Sequence, residues 1–301
     1  MTGQCYIDGV DIYATYGVII TDGGYDDFFK LPAMVEPDKN DWAESDGVEV
    51  DLSAPMLQPR EIVVSFANIN HIQWRAFVEF ITQPELREVS IPYIGKTWTL
   101  RYDSMTELDI YSGSDLFAIK FIEDEYEIPE VVIAPSGSAP IVSVLELDGI
   151  SLDRYGVVIE DGLSDFDKTP ALKRNLTRTS SAINGQVYDA EVALFAEKEV
   201  TIRCTMLAGS MAGLWAQLGA LYSVLVHPDV RVLSYSGRGY EGYYRRFDNV
   251  QLLTHMHEVA LRFDLKMNFT AFRVGFVTYL IAAEDNRLIT TEYEYNIEIG
   301  Y

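Results

Sequence analysis

Apolar residues recur along this chain with two different periods, and the order in which the periods alternate occurs twice. Runs at 98–102 and 116–122, and again at 243–247 and 259–267, are rich in β-branched and aromatic residues and predict strands. Between the early and late strands of each half the spacing widens. Trp74, Phe77, Val78 and Ile81 fall at i, i+3, i+4 and i+7, which places them on one face of a helix. Leu214, Trp215, Leu218, Leu221, Tyr222 and Leu225 do the same in the second half. Both stretches run into a proline followed by an acid, Pro84-Glu85 and Pro228-Asp229, and proline cannot continue a helix.

The repetition extends to individual residues. Tyr6-Ile7-Asp8-Gly9-Val10 and then Tyr16-Gly17-Val18-Ile19-Ile20 return as Leu147-Asp148-Gly149-Ile150 and Tyr155-Gly156-Val157-Val158-Ile159. Leu31-Pro32-Ala33 matches Thr169-Pro170-Ala171, and Arg60-Glu61-Ile62 matches Lys198-Glu199-Val200. A shared order of this length predicts a duplicated domain, mainly β with one helix per repeat, an α+β class. The first copy spans 1–138 with an arm at 36–56, and the second spans 139–272. A Pro/Ser/Gly/Ala run at 135–140 reads as the link. Beyond it, 273–301 predicts a C-terminal β-hairpin, from runs at 274–281 and 288–299 about a polar turn at 284–286. In the second run Tyr293, Tyr295 and Ile297 share one face and Glu292, Glu294 and Glu298 the other. That apolar face needs cover, from the chain's own sheets or from a neighbouring subunit.

Charge separates the two copies more than pattern does. The 301 residues carry a net −23. The first 140 hold 8 basic and 25 acidic residues, net −17, which leaves 15 basic and 21 acidic, net −6, for the rest. This sign disfavours gripping phosphates or anionic membranes, but it suits a passage through which DNA slides without sticking. No stretch approaches the ~20 apolar residues of a membrane span, and Met1 leads into a polar turn; a soluble protein made in the cytoplasm is expected.

Much of the acid lies between Glu36 and Ser53, where Asp46-Gly47 is a turn pair and Val48, Val50 and Leu52 alternate with Glu49 and Asp51. The segment lacks the Asp-x-Asp-x-Asp-Gly order of a calcium loop and reads as an extended arm. Its counterpart is basic: Lys168, Lys173, Arg174 and Arg178 precede the hairpin signal Asn184-Gly185. Arms of opposite sign suit contacts that set register between subunits. The oligomer-contact candidates are therefore Asp41, Trp42, Asp46, Glu49, Asp51, Lys173, Arg174, Arg178, Tyr293, Tyr295 and Ile297.

Signals for catalysis are missing. No Gly-x-Ser-x-Gly, His-Glu-x-x-His or Walker pattern occurs, no Gly-x-Gly-x-x-Gly enters a helix, and 237–242, lying between strand-like runs, reads as a glycine-rich hairpin tip. Cys5 and Cys204 read as buried thiols, and His255 and His257 as a polar strand edge without further ligands. No catalytic, cofactor or metal residue is expected, and no cofactor.

The Asp-Gly openings, the acidic arm with Asp41-Trp42 and Asp46-Gly47-Val48-Glu49-Val50-Asp51-Leu52, and the order of strands, helix and strands resemble the tail proteins of long-tailed phages and prophages, in particular the tail-tube, distal-tail and baseplate-hub group. The resemblance implies two tandem tail-tube-like β-sandwich or barrel domains and no enzymatic activity. It also implies self-assembly into a trimeric or hexameric ring around a DNA passage, with neighbouring tail proteins as further partners, no membrane, and a place in the virion tail. Hub, distal-tail and tube-terminator roles stay open. The other reading is a carbohydrate- or surface-binding β-sandwich, suggested by 19 tyrosines and aromatic-rich strands such as 240–244; a hydrolase ranks behind it.

Overall fold

The computed structural model describes residues 4–69, 73–111, 113–127, 142–173, 177–182, 184–188, 193–255, 258–271, 279–280 and 298–299. It is mainly β with helices, and its sheets include one curled into a half-barrel. In chain order the first copy contains β1 (Tyr6–Ile7), β2 (Val10–Asp11), α1 (Ile12–Tyr16), β3 (Val18–Ile20), β4 (Lys39–Asn40), β5 (Glu49–Val50), β6 (Arg60–Asn68), α2 (Trp74–Ile81), β7 (Arg87–Ile91), β8 (Lys96–Ile110) and β9 (Asp115–Glu123). The second contains β10 (Leu145–Leu147), β11 (Ile150–Ser151), β12 (Val157–Asp161), α3 (Ser164–Asp167), β13 (Thr177–Thr179), β14 (Gln186–Tyr188), β15 (Lys198–Ala208), α4 (Met211–Leu225), β16 (Arg231–Tyr235), β17 (Arg238–His255) and β18 (Glu258–Phe269). A last short ladder joins β19 (Tyr279–Leu280) to β20 (Glu298–Ile299), and the rest of the expected 273–301 hairpin lies outside the described residues.

Two seven-stranded antiparallel sheets follow, with orders β2-β1-β7-β8-β9-β6-β3 and β11-β10-β16-β17-β18-β15-β12. The orders agree strand for strand. Both α2 and α4 lie at the predicted places and stop three residues short of their prolines. Short helical turns join them: α1 and the 3-10 turn Leu152–Tyr155 precede the two Tyr-Gly pairs, and the 3-10 turn Asp26–Phe29 corresponds to α3. The glycine-rich stretch differs from expectation. Its tip is only Ser236 and Gly237, and from Arg238 onward the residues pair along β16.

The Asp-Gly openings repeat because they hold a buried arginine. Asp8 and Asp148 both have φ of 50°, and Gly9 and Gly149 follow at 75° and 77°, the left-handed pair that a tight hairpin turn requires. Arg87 Nη1 donates to Asp8 Oδ2 at 2.8 Å, and Arg231 Nη1 to Asp148 Oδ2 at 2.7 Å. The other carboxylate oxygen of each aspartate accepts a strand N–H, from Glu88 and from Val232. One acid thus closes its turn and neutralises a guanidinium that is almost wholly buried. A second repeated clamp joins β6 and β15 to the loops before them. Arg60 donates to the carbonyls of Phe28 and Lys30, and Lys198 to those of Phe166 and Lys168.

Helix α4 differs from α2 in being buried nearly all round, which implies cover on two sides. Its N-terminus is capped by Ser210, whose Oγ accepts from Gly213 N–H. Leu214, Leu218, Leu221 and Leu225 are all buried, each worth roughly 1.5–3 kcal/mol. The buried apolar side chains of both copies form one continuous cluster.

Asp148→Ala removes the partner of Arg231 and the acceptor of Val232 N–H together. It is expected to lower stability by about 1–3 kcal/mol in urea unfolding, and Asp8→Ala should cost a similar amount, because the two sites share one geometry.

Candidate functional site

The surfaces on which the copies meet carry a series of specific polar contacts among the described residues. Strand β17 pairs with β16 as far as Gly242 and then runs on along β18, which leaves one edge without a strand partner. Residues 26–36 of the first copy lie along that edge. Met34 N–H donates to the Arg245 carbonyl at 2.9 Å, and Asp26 Oδ1 accepts from Leu252 N–H at 3.1 Å. Tyr222 and Tyr244 both donate their hydroxyls to the Pro32 carbonyl, at 3.2 and 3.0 Å, and so satisfy one buried oxygen twice. Glu36 pairs with both Arg245 and Lys39. Partial burial pushes its carboxyl up, but the two cations outweigh that and hold it below the usual range.

An aromatic seam continues this contact along α4. Trp215 stacks on Phe29, with centroids 4.5 Å apart and planes 12° apart, and its Nε1 donates to the Ile94 carbonyl at 2.8 Å. Lys96 Nζ sits 4.1 Å above the same indole. Burial lowers the Lys96 pKa, and Arg60 nearby adds to the effect. Trp98 and Tyr126 extend the seam to Trp215 and Tyr222. This accounts for the apolar second face of α4.

The acidic arm forms the third part. Strands β4 and β5 pair as a short ladder, and its turn lies on the second copy. Gly47 N–H donates to the Phe195 carbonyl and Val48 N–H to that of Thr270, at 2.8 and 2.7 Å. Gly47 has φ of 67°, and a Cβ there would lie 1.8 Å from the Thr270 oxygen, so only glycine permits this approach. Lys173, almost wholly buried, donates to Asp41 Oδ1 at 2.6 Å and to the Trp42 carbonyl at 2.7 Å. Lys39 bonds Glu197 at 2.5 Å, and Asp229 N–H donates to the Leu52 carbonyl.

The contact candidates fall into four groups. Asp41 and Lys173 meet directly, and Asp46 Oδ1 accepts from Phe195 N–H at 2.8 Å. The side chains of Trp42, Glu49 and Asp51 serve the arm itself: Trp42 Nε1 donates to Glu49, and Asp51 accepts from Ser53. Arg178 lies exposed on β13, in the ladder with β14. Arg174, Tyr293, Tyr295 and Ile297 lie outside the described residues. Sequence reasoning missed residues 26–34 and Arg245, whose role depends on contacts between positions as far apart as 226.

Other chemistry finds little support. Burial pushes the Cys5 thiol up to about 12 and raises Cys204 as well, which removes them as nucleophiles near neutrality. Among the described residues no group of His, Cys, Asp and Glu is placed to hold a metal ion, and no helix is long and apolar enough to cross a membrane. His257 lies outside the described residues.

Gly47→Ala is expected to lift the arm turn from the second copy and to cost about 1–3 kcal/mol in thermal or urea unfolding. A pH dependence also follows from Asp26. Burial raises its carboxyl to about 6, the Leu252 N–H opposes this, and Asp27 and Asp22 add to it. The folded chain then binds this proton more tightly than the unfolded chain. The resulting stability is fully present below about pH 4 and is lost as pH rises through about 6. Asp26→Asn keeps the acceptor and should gain stability relative to the wild type as pH rises through that window, as read by urea unfolding at each pH.

No protein-family model matches the chain, and no curated protein matches it. Among solved structures it has a likeness to the Dit protein of phage SPP1, described as a paradigm of hub adsorption apparatus in phages that infect Gram-positive bacteria. The likeness covers 89% of this chain and 99% of that one, at 10% identity and a TM-score of 0.33, a level that does not establish a common fold.

Proposed function

We propose that the protein is a structural subunit of a phage-like tail or baseplate that self-assembles into a ring around a DNA passage. One observation carries the reading: the two copies are joined through different surfaces. The first contributes residues 26–36 and its arm, while the second contributes the β17 edge, Lys173, Phe195 and Thr270. Such a heterologous contact, repeated between chains, generates a ring when the rotation closes. The sequence resemblance to tail-tube, distal-tail and hub proteins points the same way, and the net −23 suits a wall that DNA passes without adhering. Domain limits at 1–138 and 139–272, with the 273–301 hairpin as an extension, belong to this proposal, as do a trimeric or hexameric ring, neighbouring tail proteins as partners and a place in the virion tail.

The carbohydrate-binding alternative is weakened by its own key strand. Tyr240, Tyr243 and Tyr244 are all buried, so 240–244 offers no exposed platform for a sugar ring.

Mass photometry over a rising concentration series, with electron microscopy of the largest species, tests the proposal. A closed ring of uniform mass is expected. A monomer at every concentration contradicts it.

A further inference from the structure

Strands β8 and β17 hold the same place in the two sheets. Each pairs first with the strand before it and then runs on along the strand after it, and each carries two register shifts. Counted through the ladders, Tyr102 corresponds to Tyr244, Asp103 to Arg245 and Ile110 to Leu252. The segments that precede the arms correspond as well. Isolated bridges Met34–Leu57 and Leu172–Phe195 equate Met34 with Leu172. The carbonyl clamps of Arg60 and Lys198 equate Phe28 with Phe166 and Lys30 with Lys168.

Equivalent positions have opposite exposure. Met34 is 3% exposed and Leu252 8%, whereas Leu172 is 43% and Ile110 68%. Leu31 and Pro32 are buried, but Thr169 is exposed and Pro170 half-buried. Among the described residues, β8 beyond Leu100 has β9 on one side and no strand on the other. One chain thus leaves uncovered a copy of each surface that it buries between its halves. Since both stay uncovered in the same chain, they do not cover each other. Charge follows the same rule: the position equivalent to Glu36 is Arg174 and that equivalent to Arg245 is Asp103, so the pair keeps its signs with the ends exchanged. Arg174 enters by its sequence position alone.

We infer that the free edge of β8 is the docking site for residues 164–172 of a second copy of this chain, in a contact that repeats between chains the one joining the copies within a chain. The inference rests on the ring-forming reading and names its surfaces. Leu172 N–H takes the Asp103 carbonyl as Met34 takes that of Arg245, and Ile110 and Leu172 are buried as Leu252 and Met34 are. The exposed β13–β14 hairpin then extends onto the neighbouring first copy, as the acidic arm does onto the second. The contact is heterologous and adds main-chain bonds to a strand edge.

Leu172→Asp and Ile110→Lys test it, because each spoils one face and leaves the other intact. Both sites are exposed, so thermal unfolding should be unchanged; should either variant unfold, Leu172→Gln and Ile110→Gln replace them. Each variant alone is expected to weaken assembly by about tenfold or more in sedimentation velocity. Mixed in equal amounts, the two should form a heterodimer and stop there, since one sound edge meets one sound segment. If both variants assemble as the wild type does, or if the mixture yields no heterodimer, this interface is wrong while the ring reading survives. If the wild type itself is monomeric throughout, both fall.

Discussion

An unpartnered strand edge presents a row of N–H and C=O groups that must be satisfied before it can be buried, and on the edge of β17 the first copy bonds the Arg245 carbonyl and the Leu252 N–H. The rest of the architecture depends on this contact. It holds Met34 and Pro32 against the second copy, and Phe29 stacks on Trp215 of α4 close by. It explains why α4 is apolar on two sides, and why Trp215, at a place where an exposed helix would carry a polar residue, stacks on Phe29. The arm then extends the contact over Lys173, Phe195 and Thr270.

The divergence in charge between the copies follows from this arrangement. The buried Lys173 needs an acid, which Asp41 of the first copy supplies, and Arg245 and Lys39 are neutralised together through Glu36 and Glu197. The framework contacts did not diverge. Asp8 with Arg87 and Asp148 with Arg231 keep the same bonds, because both close the same turn over the same buried guanidinium. At the interface, Glu36 and Arg245 have equivalents of exchanged sign in Arg174 and Asp103, whereas the framework pairs kept both residues.

Local physics left a clear trace in the sequence. The helices at Trp74–Ile81 and Met211–Leu225 were legible from apolar spacing and terminal prolines, and the Asp-Gly turns from the left-handed backbone they require. The turns of four or five residues, α1, α3 and their 3-10 counterparts, are too short to show a helical period. Residues 237–242 misled because glycine marks a turn and also a strand that another backbone approaches closely, and most of this run is strand. At the candidate site the arm, Asp41 and Lys173 could be named from charge and turn signals. Its docking partner within the chain could not, because Lys173 and Asp41 lie 132 positions apart and nothing local records their meeting. The burial of Met34 against the exposure of Leu172 was likewise invisible, since both are ordinary apolar residues in equivalent loops.

Amide hydrogen exchange, followed from dilute to concentrated protein, tests the central claim most directly, because it reads each strand edge separately. In dilute protein, the Leu252 amide should be protected by the first copy, while the amides of 102–110 that are not bonded to β9 exchange quickly. On concentration, those amides should acquire protection, together with residues 164–172. The claim is contradicted if they stay unprotected in the assembled state, or if the Leu252 amide exchanges as quickly as they do in the dilute one.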